Sequence, residues 1–300
     1  MFTNNTIDLA SLAMGEDFDV KRDCQLSYIG KIPSRLQRRF VPCREPHHIS
    51  DAAKIPDIVG IATTEEYAHL VPANLGLLVA ADPIAATLTL HEKLCDIDGF
   101  LWKHFDSRIH PTAKIHPRAV IADRDVEIGA NVTVGPGTVI QERSIIGESC
   151  HLGVDVAVGV DALEIFQGTQ PRRILRQAGG VFLERGVTVI AKCIIARATF
   201  GGFTQLGEGS ILESLVHLAH DCRLGKNVTL VACCEVSGRC ELGDGAYVGP
   251  NACIRNGVRV GIGATVTMGA VVTRDVPDHE TVSGNFAVPH SKWLKFIKGL

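Results

Sequence analysis

The chain has 300 residues, of which 46% are hydrophobic and only 5% aromatic, and its formal net charge is −3. That length admits two domains and an ample core, while so small a net charge offers no electrostatic footprint for nucleic acid or an anionic membrane surface. No apolar run reaches the ~18 residues of a membrane span, and the opening MFTNNTIDLASLAMGEDFDV carries acids without a basic stretch, so no signal peptide is expected.

Residues 1–108 form the first unit. Ile58 to Ala62 reads as a strand, Thr63 or Thr64 as a cap before EEYAHLV, and Gly76 to Ala81 as a second strand. Asp82 and Pro83 then supply an N-cap and a proline at the first position of the helix IAATLTLHEKL. This β–α–β–α order predicts a small α/β domain packed on the element that follows, with the junction at Phe105 to Arg108.

A repeat of six begins at Ile109 and continues through Ile115 and Ile121. It slips by one residue, then runs Ile128, Val134, Ile140, Ile146, Leu152, Val158. The pattern is lost from Asp161 to Gly180, resumes at Val181, Val187, Cys193 and Thr199, and slips by one at Phe200. From Leu206 to Val272 an aliphatic residue then falls on every sixth position, often followed by glycine. Six fits neither helix nor flat strand. It fits a strand segment and a turn repeated three times per coil, so that residues eighteen apart stack at the ~4.8 Å strand spacing. Glycine after the aliphatic residue suits a turn needing positive φ or lacking room for a side chain. The predicted class is mainly β: a parallel β-helix over 109–288 with an excursion loop at 161–180. A short helix over 289–300 should close the open coil end. Ten cysteines show no zinc-ligand spacing, and most are expected as small buried hydrophobes in a reduced, cytoplasmic protein without a metal.

The most chemically informative stretch is LVHLAHDCRLG, Leu215 to Gly225. With Leu218 in the core, His220 can point outward, and Gly238 lies eighteen residues on, one coil above it. A histidine beside an exposed backbone N–H is what acyl transfer needs: a base near neutrality for the nucleophile's proton and a donor for the oxyanion. A lone outward histidine is otherwise a solvated or inter-subunit contact.

The motifs IHPTAKIHPRAV, QAGGVFLERGVTV, GEGSILESLVHLAHDCRLG and SGRCELG, with the terminal HSKWL, resemble the UDP-3-O-acylglucosamine N-acyltransferase family of lipid A synthesis, a branch of the hexapeptide-repeat acyltransferases. The resemblance covers nearly all of the coil and, more weakly, the N-terminal domain. It implies a left-handed coil, a homotrimer, a nucleotide-binding N-terminal domain, no permanent cofactor, and acyl-ACP or acyl-CoA as donor. It also implies that His220 is the general base, that Gly238 supplies the oxyanion N–H, and that Glu213 stands where the family has an aspartate helper. His217 is a weaker substrate-side candidate, with packing or solvent exposure as its alternative. Arg172 and Arg173, in the excursion, could meet a phosphate or pantetheine, or be solvated loop charges.

Three departures point to a paralogue with a changed donor or acceptor. A second family histidine falls on Gly257, the uracil-binding pair is missing with Tyr28 the only stacking candidate and structural filler its alternative, and the C-terminal helix is short. The expected activity is acyl transfer from a phosphopantetheine thioester to the amine of a nucleotide-linked amino sugar. Its runner-up is an acetyl-CoA-dependent sugar acetyltransferase, on the likeness of TVTMGAVVTRDVPDHETVSGNFA to the closing coil of such enzymes. A zinc hydratase built from His217, His220 and His151 would need histidines that meet between subunits, and a non-catalytic scaffold is the remaining alternative.

Overall fold

The computed structural model describes residues 1–32, 34–166, 173–284 and 287–299. From Arg108 onward the chain coils through three short strands per turn. Strands of successive turns pair in parallel into three sheets of eight, eight and nine strands among the described residues. This is the expected parallel β-helix. The sixth-position residues point inward: Leu218 pairs with Val236, and Val236 with Ile254, each fully buried. Burying one such side chain contributes roughly 1.5–3 kcal/mol. A second inward row lies two residues earlier, at Val216, Cys222, Val228, Cys234 and Cys240, all at most 1% exposed. Six of the ten cysteines are buried and all ten are free thiols.

Glycine after the aliphatic residue serves close approach rather than positive φ. A Cβ on Gly207 would stand 2.3 Å from the Gly225 carbonyl oxygen of the next coil. The left-handed backbone falls two residues later, at Gly209, Asn227, Gly245 and Gly263.

Three interruptions shape the coil. At the first slip, Ile109 pairs with Ile128, and the extra residue sits in a turn where Asp125, fully buried at φ +62, accepts from the Phe105 N–H and contacts His104 Nδ1 at 2.6 Å. The excursion separates Ile146 from its partner Leu183. The third is larger than a one-residue slip: Leu183 pairs with Leu206 and Ile195 with Leu218, twenty-three residues apart rather than eighteen. Five residues are therefore inserted near Phe200. The inward strand residues before the insertion are Leu183, Val189 and Ile195, two positions after those expected.

The first hundred residues carry a five-stranded sheet in the order Asp19–Arg22, Gly76–Val79, Ile58–Thr63, Arg39–Pro42, Tyr28–Ile29. Only Asp19–Arg22 is antiparallel. The helix Pro83–Asp96 starts as expected, with the Asp82 carboxylate accepting from the Ile84 and Ala85 N–H groups. EEYAHL forms a 3-10 helix, and Thr64 makes no side-chain cap. The sheet unit meets the coil through Trp102, 1% exposed, which packs edge-on against Phe2 and Phe203. At the other end lies the helix His290–Lys298, whose described side chains are exposed. Among the described residues no helix is long and apolar enough to cross a membrane.

Candidate active site

His220 occupies a corner of the coil and is only 7% exposed. Its Nδ1 lies 2.7 Å from Asp221 Oδ2 and 3.1 Å from Thr199 Oγ1. Consecutive residues make this contact because Asp221 has φ +60, which turns its side chain back toward the ring. The carboxylate is held by the Thr199 N–H at 3.2 Å and the Thr199 hydroxyl at 2.9 Å, while the Asp221 N–H donates to Thr204 Oγ1. Nδ1 facing a carboxylate carries the proton, which leaves the Nε2 lone pair free. Thr199 belongs to the segment interrupted by the five-residue insertion, so the irregularity itself supplies part of the site.

Gly238 covers the other side of the ring. A Cβ placed there would lie 2.5 Å from His220 Nε2 and 2.6 Å from its Cε1. The glycine is required by this approach, since its φ is not positive. Its carbonyl accepts from the Gly257 N–H at 2.9 Å, and the neighbouring Arg239 N–H donates to the His220 carbonyl. The Gly238 N–H itself has no intramolecular partner among the described residues. A base nitrogen thus stands beside an uncommitted backbone donor.

The remaining sequence candidates lie elsewhere. The Glu213 carboxylate accepts from the Ala232 N–H across a different turn, and the carboxylate at His220 Nδ1 is that of Asp221. His217 Nδ1 meets Glu235 Oε2 at 2.6 Å on the strand face, and that carboxylate pushes the imidazole up against the lowering effect of burial. Tyr28 is not a stacking platform: it is 9% exposed, its ring lies against Gly201, and its hydroxyl donates to the Thr3 carbonyl. Arg172 lies outside the described residues, and Arg173 starts the short strand Arg173–Ile174 with its side chain likewise outside them. Gly257, where a histidine was expected, has φ +76 and open space above it.

Two cavities adjoin one another near this site, the larger opening on Asp221. One of about 600 Å³ is lined by Asp221, Asn256, Gly257 and five cations: Lys31, Arg35, Arg223, Arg239 and Arg259. The other, about 460 Å³, sits beyond the C-terminal ends of Tyr28–Ile29 and Arg39–Pro42. Its walls include Ile29, Ile32, Pro42, Ile84 and Leu88, with His48 and Asp51 as polar groups. Lys31 and Phe200 line both. Buried Arg39 shapes the shared wall, its guanidinium donating to the carbonyls of Lys31, Ile32 and Leu36. The sequence reading missed these groups. Their one visible trace was the break in the repeat at Phe200.

No family model matches the chain. It is 39% identical over 121 residues to a UDP-3-O-acylglucosamine N-acyltransferase of Caulobacter sp. (strain K31), which covers 40% of this chain and 35% of the relative. It is 38% identical over 90 residues to an acyl-[acyl-carrier-protein]–UDP-N-acetylglucosamine O-acyltransferase of Alkalilimnicola ehrlichii, covering 30% and 35%. Among solved structures, a UDP-N-acetylglucosamine acyltransferase from Campylobacter jejuni aligns at TM-score 0.48 and 26% identity over 59% of this chain and 72% of that one. The chain spans about a third of the length of the curated relatives it matches. Over the matched segments the chain is similar to these two acyltransferases.

Proposed function

We propose that this chain is an acyltransferase that moves an acyl group from a phosphopantetheine thioester to the amine of a nucleotide-linked amino sugar, working in the cytoplasm as a homotrimer. The observation that carries the reading is the His220 imidazole, fixed at Nδ1 by Asp221 with its Nε2 against Gly238. The amine attacks the thioester carbonyl and a C–N bond forms. His220 Nε2 takes the amine proton, and the Gly238 N–H stabilises the oxyanion. The C–S bond then breaks, and the imidazolium returns its proton to the departing thiolate. Asp221 holds the tautomer and orientation throughout.

Substrate class rests on coarser support. The named relatives act on UDP-linked sugars, and one takes its acyl group from acyl carrier protein. An apolar cavity beyond the carboxyl ends of parallel strands is where open α/β sheets bind ligands, which suits a nucleoside in the cavity walled by Ile29, Ile84 and Leu88. The ten free thiols fit a reducing compartment. The test is product mass spectrometry on a matrix of acyl-ACP and acyl-CoA donors against UDP- and dTDP-linked amino and hydroxy sugars. An amide-linked product from one pairing supports the reading. Products only on hydroxy sugars would replace N- with O-transfer, and no acylated product from any pairing would overturn it.

A further inference from the structure

Glu164 lines the smaller cavity beside Lys31, which lines both. Its carboxylate is 2.7 Å from Lys31 Nζ, on the N-terminal unit, and 2.8 Å from Arg239 Nη2, on the turn that follows Gly238. The side chain is 19% exposed, as is, at 18%, that of Arg239. Burial alone would raise this carboxyl, but the two cations together hold it below the usual range. A carboxylate bridging two cations from separate parts of the fold has the form of an anion bound in a site.

The surroundings have a surplus of positive charge. Five cations face the cavity beside Asp221 and Glu241. Arg35 is paired with Glu241 at 2.8 Å, whereas Arg223 has no ion-pair partner among the described residues. Arg223, Glu241 and Arg259 stack on successive coils, which sets the two arginines two strand spacings, about 9.6 Å, apart on either side of Glu241. Arginine forks match phosphate oxygens in pairs, and two linked phosphates would span such a row. The same cavity opens on Asp221 and Gly257, next to the imidazole.

We propose that this cavity is a diphosphate-binding subsite whose Lys31–Arg239 end is occupied by the Glu164 carboxylate when no ligand is bound, so that an incoming diphosphate must displace Glu164. The carboxylate is then a built-in competitor. It keeps the cations ordered and paired in the empty protein, and it weakens any anion too feebly charged to replace it. The inference rests on the cavity serving the His220 centre, but its binding test is independent of acyl transfer. Two ligands carry this chemistry beside such a site: a nucleoside diphosphate sugar and coenzyme A.

The test is calorimetric titration of the full chain with inorganic pyrophosphate, followed by UDP and coenzyme A. Wild type binds pyrophosphate. Glu164→Gln binds it about three- to tenfold more tightly, because the competing state is removed. Arg239→Gln weakens it by at least about tenfold, with Lys31→Met as the second cation variant should Arg239→Gln fail to fold. If UDP is the ligand that gains from Glu164→Gln, the acceptor is the source; if coenzyme A gains, the donor is. Unchanged or weaker pyrophosphate binding in Glu164→Gln makes Glu164 a structural strap and overturns the competitor role. No pyrophosphate binding by either protein overturns the subsite. Binding without acyl transfer would sink the acyltransferase reading and leave the subsite standing.

Discussion

Asp221 Oδ2 lies 2.7 Å from Nδ1 of His220, the residue immediately before it in the chain. The positive φ of Asp221 makes this contact possible, and asparagine tolerates that backbone as well as aspartate does. Asp221→Asn should therefore keep the fold while removing the carboxylate that fixes the tautomer. Turnover should drop by about 10²-fold or more, with the melting temperature nearly unchanged. A rate within threefold of wild type would show that Asp221 does not orient the base.

Gly238 makes a complementary prediction. A methyl group at this position would stand 2.5 Å from His220 Nε2, so Gly238→Ala must displace the ring or the turn. Misplacement of a reacting group by about 1 Å costs on the order of 10²-fold in rate, and overpacking costs about 1–3 kcal/mol of stability. Turnover measured beside a thermal melt separates the two. A fully active Gly238→Ala would contradict the packing of the ring against this residue.

The repeat was legible because its core positions recur without exception from Leu206 to Val272, and the eighteen-residue turn that follows from it stacks Gly238 over His220. Other features were hidden for definite reasons. Both the row containing Val181, Val187, Cys193 and Thr199 and the row containing Leu183, Val189 and Ile195 are buried with the same period. Hydrophobic spacing therefore could not tell them apart, and five inserted residues looked like one. The resemblance places the helper carboxylate at Glu213, and spacing gives no sign of Asp221: a neighbour in sequence normally points away from its predecessor, and only the left-handed turn brings it back. The cavity-lining residues Lys31, Arg35 and Leu36 follow a strand of two residues, Tyr28–Ile29, too short to show alternation.

His217 and Glu235 supply a titration. The carboxylate at 2.6 Å raises the imidazole above its ordinary value. This pair therefore contributes fully below the unfolded histidine pKa, and its contribution is lost as pH rises through the higher folded value. Both side chains are more than a third exposed, so the effect on stability is small and the direct observable is the histidine NMR titration. His217 should titrate above the ordinary range in wild type and fall back in Glu235→Gln. An unmoved midpoint would dissolve the pair.

His91 titrates in the opposite sense. It is fully buried in the helix Pro83–Asp96, with Nε2–H donating to the Arg176 carbonyl at 2.9 Å, and burial pushes its pKa down to about 4. The unfolded chain binds a proton near pH 6.5 that the folded chain refuses until about pH 4. Stability from this site is thus intact above pH 6.5 and falls as pH drops toward 4, with a slope of about 1.4 kcal/mol per pH unit. His91→Gln keeps a donor for the carbonyl and should flatten denaturant-derived stability across that window by one proton. An unchanged slope would mean that His91 is protonated in the fold.

The central claim is that His220 Nε2 removes the proton from the attacking amine. Single-turnover acyl transfer with His220→Ala, on protein shown by melting temperature to be folded, tests it most directly. The account predicts a rate about 10²- to 10⁴-fold below wild type. A rate within tenfold of wild type would contradict it.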